Sequence, residues 1–200
     1  MSRLTHNPVV VRELEERIER SSIGFWLYLM TDCVLFASLF AVYAILHLNT
    51  FGGPGPKELF HPSGVLAETL LLLASSYACG LAVLRARANE RTKAMFWLGL
   101  TFVLGAGFLA MEISEFTQLI VEGNSFTRSG FLSSFFTLVA THGIHIAIGL
   151  MWIVVMITQL SIKGLTPNTT RRLTLFSLFW HFLDVVWIFI FSTVYLMGVA

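Results

Sequence analysis

Five apolar runs, at about residues 24–47, 65–86, 94–121, 130–160 and 173–198, leave this 200-residue chain few ways to fold. About 20 apolar residues cross the hydrocarbon core of a bilayer as a helix, and each run has room to do so. In hydrocarbon the backbone must satisfy its own N–H and C=O groups, which a continuous apolar run does as a helix. The expected fold class is therefore all-α, a polytopic membrane protein with five transmembrane helices. Composition agrees, with 56% hydrophobic and 12% charged residues and a mean hydropathy of +0.75; soluble domains carry about 25% charged residues. The chain divides into a polar N-terminal segment, 1–22, and a transmembrane domain, 23–200, with no soluble domain inserted.

The connecting segments set the orientation. They are a Gly/Pro-rich loop (Gly52-Gly53-Pro54-Gly55-Pro56), a basic turn (Arg85 to Lys93), a short loop (Glu122 to Ser129) and a second basic loop (Lys163 to Arg172). Arg3, Arg12, Arg17 and Arg20 fall on the same side as Arg85, Arg87, Arg91, Lys93, Lys163, Arg171 and Arg172; only Lys57 and Arg128 fall on the other. Eleven cations against two place the N-terminus in the cytoplasm and the C-terminus across the membrane. Arg12 to Arg20 alternates charge at helical spacing, read as a solvated juxtamembrane helix or as one that docks a partner. A net charge of +1 without a basic domain gives nucleic acid no footing. Cys33 and Cys79 lie in apolar runs without metal-site or disulfide spacing, and both are read as buried small residues. No short apolar core with a cleavage site precedes the first span, so no segment need be removed. Ser76 with Gly80, Ala106 with Ala110, and Gly143 with Ala147 are small residues one turn apart, spacing that lets helices approach closely in lipid.

Against this apolar background the ionisable residues carry the information. Asp32 lies in the first span, Glu68 in the second, Glu112 and Glu115 in the third, His142 and His145 in the fourth, His181 and Asp184 in the fifth. Three of these sets are i, i+3 pairs, each forming one patch on one helix face. A charge at the bilayer centre costs about 2.5 to 3.5 kcal/mol or more unless partnered. An interhelical polar network joining Asp32, Glu112, Glu115, His142, His145, His181 and Asp184 is therefore expected. It would fix helix register, or, as rows of Asp, Glu and His do in pumps, relay protons. Glu68 stands apart, because within its own span only Ser75 could answer it. Such a carboxyl is expected to keep its proton, since desolvation disfavours the charged form; proton handling, lipid head-group contact and a purely structural role are all open. His142 or His145 with His181 could in principle hold a haem, but histidine also serves as hydrogen-bonding glue between helices. Three intramembrane histidines cannot supply two haems and a copper. No catalytic residue and no metal ligand is expected in this chain.

Four stretches carry a resemblance: Trp180-His181-Phe182-Leu183-Asp184-Val185-Val186-Trp187, Thr141-His142-Gly143-Ile144-His145, Glu68-Thr69, and Gly24-Phe25-Trp26-Leu27-Tyr28-Leu29-Met30-Thr31-Asp32. Together, in their order along the chain and on four of five helices, they resemble subunit III of the haem-copper respiratory oxidases, over nearly the whole chain from Ile23. The five-span length, Arg128 to Ser133 and the closing Val194 to Gly198 are similar to the cytochrome bo-type ubiquinol oxidase branch. The resemblance implies a subunit without redox cofactor, packed on subunit I, which holds the haems and copper, alongside subunits II and IV. It implies two arms, spans 1–2 and 3–5, forming a V-shaped cleft filled with phospholipid. Glu68 matches the family's carbodiimide-reactive carboxyl near those lipids. The complex would oxidise ubiquinol, reduce dioxygen to water and pump protons in a bacterial cytoplasmic membrane, with this subunit stabilising subunit I. The rival readings are subunit III of a cytochrome c oxidase and a small proton-coupled transporter; the latter should show inverted repeats, and none is visible.

Overall fold

The computed structural model describes residues 8–52 and 62–196, with side chains described for 22–52 and 64–196. The charge pattern of Arg12 to Arg20, most of the Gly/Pro-rich loop and the last residues, 197–200, thus lie wholly or in their side chains outside the described residues. Among the described residues five α-helices follow one another: α1 (Pro8–Leu46), α2 (Pro62–Arg87), α3 (Arg91–Val121), α4 (Gly130–Lys163) and α5 (Pro167–Ile190), the last continued by a π-helical turn, Phe191–Leu196. Each contains a stretch long and apolar enough to cross a membrane. The all-α, five-span expectation holds.

Two compact units divide inside α1, between Ala37 and Ser38. In the first, α1 runs without a break from its polar beginning into the span, and Leu29, Asp32 and Phe36 are its buried positions. Cys33 is exposed on this helix, which corrects the expectation that both cysteines are buried; Cys79 is buried. The spacing explains the difference, since Cys33 falls between the positions of the 29–32–36 stripe and Cys79 falls on the buried face of α2.

The second unit holds the last turns of α1 and the other four helices. Its entry is pinned where the Phe131 N–H donates to the Asn49 carbonyl at 3.2 Å and the Tyr43 ring lies 6.3 Å from that of Phe131. Helix ends follow local chemistry. Ser129 caps α4, its hydroxyl accepting from the Leu132 N–H at 3.1 Å. Thr166 and Thr169 form a capping box with Pro167 in the first turn, where its missing N–H costs nothing. That start lies six residues before the apolar run, so α5 takes in most of the expected basic loop. At the turn between α2 and α3, Glu90 pairs with Arg85 at 3.1 Å and Lys93 at 3.0 Å. The hydrogen bond from Lys93 above all, with Arg85, holds its carboxyl below the ordinary range. Arg91 donates to the Ser161 carbonyl at 2.5 Å, placing a cation at the C-terminus of α4, where the helix dipole favours it.

α2 packs along α3 and α5. Its buried positions, among them Val65, Glu68, Thr69, Leu72, Ser75, Ser76, Cys79, Ala82 and Val83, recur at three- and four-residue steps and form one continuous face. Helices in lipid gain nothing from expelling water between them, so close contact and interhelical hydrogen bonds must hold them. Both are present. The fully buried Trp180 ring of α5 lies between two glycines: a Cβ on Gly105 of α3 would come within 2.8 Å of Cζ2, and one on Gly149 of α4 within 2.6 Å of Cζ3. These, with Gly143, are the small residues that let the helices close; Ala110, expected in that role, is exposed.

Candidate functional site

The intramembrane polar residues of the second unit separate into clusters, each involving a helix that sequence reasoning had left out of the network. Two indoles are the clearest case. Trp180 donates from Nε1 to Ser75 Oγ at 3.0 Å, and Ser75 in turn donates to the Leu72 carbonyl at 2.7 Å. Trp187 donates from Nε1 to Thr69 Oγ1 at 3.0 Å, and Thr69 donates to the Val65 carbonyl at 2.8 Å. Each hydroxyl accepts once and donates once, so no buried donor in these two relays is left over, which is the condition for placing polar groups in hydrocarbon. All four side chains are buried.

At the next residue of α2 after Ser75, Ser76 shares a hydrogen bond of 2.5 Å with Nδ1 of His181, and the Ser76 hydroxyl also reaches Asp184. The i, i+3 pair His181 and Asp184 is thus answered by span two, not by the carboxylates of span three or the histidines of span four. The missed signal was available: Thr69 and Ser76 are seven apart on one face with Ser75 beside them, and a buried indole N–H needs an acceptor.

Toward the other end of α2, Glu68 comes into electrostatic reach of Glu112 and Glu115 of α3. Glu68 and Glu112 are 3% and 2% exposed, and the Oε2 atom of each has no hydrogen-bond partner among the described residues. Tyr195, brought inward by the π-helical turn, donates to Glu115 Oε2 in a long contact of 3.3 Å. The Glu112 carboxyl rests on α4, where a Cβ on Gly143 would lie 2.6 Å from Oε1. Glu68 and Glu115 also line a cavity of about 390 Å³ between α2 and α3, with Gly64, Ser114 and Gln118.

The remaining sequence-selected residues are placed singly. His142 is fully buried, its ring 5.3 Å from Trp187 and edge-on to Phe108 at 5.9 Å. His145 turns to its own helix, Nδ1 lying 2.7 Å from the Thr141 carbonyl. Asp32, in the first unit, shares a side-chain hydrogen bond with Tyr28 one turn away. Among the described residues no group of three His, Cys, Asp or Glu side chains is arranged to hold a metal ion. Chemically, then, the arrangement supplies shape and hydrogen bonding between helices, plus a carboxyl-lined cavity.

Comparison with known proteins places these features. The family model described as cytochrome c oxidase subunit III matches residues 7–199. The chain is 56% identical over 175 residues to the cytochrome bo(3) ubiquinol oxidase subunit 3 of Pseudomonas aeruginosa, covering 88% of this chain and 84% of that one. It is 53% identical to the protein of the same name from Pseudomonas putida, covering 88% and 86% of the two chains. To the cytochrome c oxidase subunit 3 of Bacillus sp. strain PS3 it is 47% identical, covering 89% and 86%. With the family model matching almost end to end on a helical membrane bundle whose buried polar groups bind helix to helix, this chain belongs to the cytochrome c oxidase subunit III family.

Proposed function

We propose that the chain is the non-catalytic subunit III of a terminal ubiquinol oxidase in a bacterial cytoplasmic membrane. Its complex oxidises ubiquinol, reduces dioxygen to water and pumps protons; the haems and copper belong to subunit I, and subunits II and IV complete the assembly. This chain stabilises subunit I by presenting a preformed helical surface. The observation that carries the reading is where the polar side chains go: Trp180, Trp187 and His181 all meet hydroxyls of α2, so they fix helices in register. The names of the Pseudomonas relatives support the quinol as donor.

The carboxyl-lined cavity at Glu68 suits phospholipid, its carboxyls and Gln118 facing a head-group amine at the membrane surface. Glu112, Glu115, His142, His181 and Asp184 serve as interhelical polar contacts, while Asp32 and His145 bond within their own helices; the N-terminus is cytoplasmic and the C-terminus periplasmic, as the basic loops favour. A tagged chain purified from membranes should bring down a haem-bearing subunit with ubiquinol oxidase activity, while the chain separated from it shows no haem absorbance. The Bacillus relative's name favours a second reading, a cytochrome c donor. Oxidation of reduced cytochrome c, but not of ubiquinol, by the purified complex would establish that reading instead.

A further inference from the structure

The α2/α5 face around His181 has polar groups that no described residue satisfies. One ring nitrogen of His181 is bonded to Ser76; among the described residues the other has no partner. Tyr77, the next residue on α2, is 70% exposed and its hydroxyl has no hydrogen bond among the described residues. Both line a shallow concavity of about 520 Å³ with Leu73, Gly80, Leu84 and Asp184. Gly80 leaves a notch beside the imidazole, its nearest neighbour being His181 Nε2 at 4.0 Å from where a Cβ would stand.

Depth decides what can cover this face. His181 lies 14 residues into α5 and Tyr77 15 residues into α2, about 21 and 22 Å along helices of 1.5 Å rise per residue. The span that α5 forms with its π-helical turn, Pro167–Leu196, is 30 residues long, so the imidazole is close to its midpoint. A tyrosine serving as an interfacial anchor sits at head-group level instead. Lipid tails offer no hydrogen-bonding atoms, so they leave both groups unanswered. The exposed stripe of α4, with Ile144, Ile148, Met151 and Val155, has no such groups, and acyl chains can cover it.

We propose that this face receives a transmembrane helix of a partner oxidase subunit, which brings hydrogen-bonding side chains to His181 and Tyr77 at mid-membrane depth. The small residues Ser76 and Gly80 let its backbone approach closely, as at other helix pairs in lipid. The inference rests on the chain being an oxidase subunit, and it specifies the surface by which it is held.

The test uses the intact complex in its native membrane, with a photo-crosslinking amino acid placed at Tyr77, at Leu84 or, as a control, at Met151. Irradiation should join positions 77 and 84 to an identified subunit of the complex, while position 151 yields only lipid adducts. Adducts from 77 and 84 with lipid alone, a dimer of this chain, or a subunit adduct from 151 in their place would each overturn the proposal. A second arm needs no crosslinker: His181→Leu should lower the haem-bearing subunit retained on a detergent-washed, tagged chain about five- to tenfold. His181→Gln, which keeps a hydrogen-bonding group, should restore much of it; equal retention by both variants and the parent counts against the face. If the unmodified chain brings down no haem-bearing subunit at all, the oxidase reading itself fails, a result distinguishable from docking through another surface.

Discussion

Gly149→Ala tests the packing of α5 most directly. The added Cβ would stand 2.6 Å from Cζ3 and 2.9 Å from Cε3 of Trp180, where carbon atoms rest comfortably at about 3.5 to 4.0 Å. The ring must therefore move by about 1 Å. It cannot do so freely, because Gly105 lies against Cζ2 and Cη2, Leu150 is beside it, and the indole N–H is held by Ser75. Overpacking of this kind costs about 1 to 3 kcal/mol, and a strained or lost interhelical hydrogen bond adds about 0.6 to 1.7. A destabilisation of about 2 to 5 kcal/mol is expected, read as a lowered midpoint in an SDS titration of the membrane-assembled protein. The decisive control is Trp180→Phe, whose smaller ring withdraws the atoms that meet the new methyl. In that background Gly149→Ala should cost about 1 kcal/mol or less, a coupling typical of residues in contact. An equal penalty in both backgrounds would refute the wedge of Trp180 between two glycines.

Gly143→Ala pushes a methyl to 2.6 Å from Glu112 Oε1. It should sharply reduce the yield of assembled subunit on native gels, with Glu112→Ala restoring room and recovering most of the loss. Thr69→Val removes the acceptor of the Trp187 indole and should cost about 0.6 to 1.7 kcal/mol in the same SDS titration; no change would mean the bond contributes nothing. Glu90 has its folded-state pKa lowered by Lys93 and Arg85. Its contribution is therefore present above the unfolded carboxylate range and lost as pH falls through the folded value. Glu90→Gln and the parent should differ at neutral pH and converge in acid, and a difference unchanged with pH would exclude the ion pairs as its source.

Much of the fold is legible in the run lengths alone, because hydrocarbon forbids alternatives to a helix where 20 or more apolar residues follow one another. Helix ends are legible only where caps are read as well: Thr166-Pro167 begins α5 before its apolar run does. The polar site was half legible. The depth and i, i+3 pairing of Glu112, Glu115, His181 and Asp184 mark them, yet which helix answers which is decided by packing. Ser75, Ser76 and Thr69 pass as ordinary small residues until an indole or imidazole from 105 to 118 residues away reaches them. Charge alone drew attention to carboxylates and histidines, whereas neutral hydroxyls proved to be the partners. The π-helical turn that carries Tyr195 to Glu115 has no sequence signature at all.

The hydroxyls of the second span have a consequence for how such a chain is made. They are inserted early, but the indoles and the imidazole that bond them arrive with the final span. Until the last span is made, Thr69 and Ser75 bond only carbonyls of their own helix. Completion of the last helix then ties it to the second at three places, Thr69, Ser75 and Ser76.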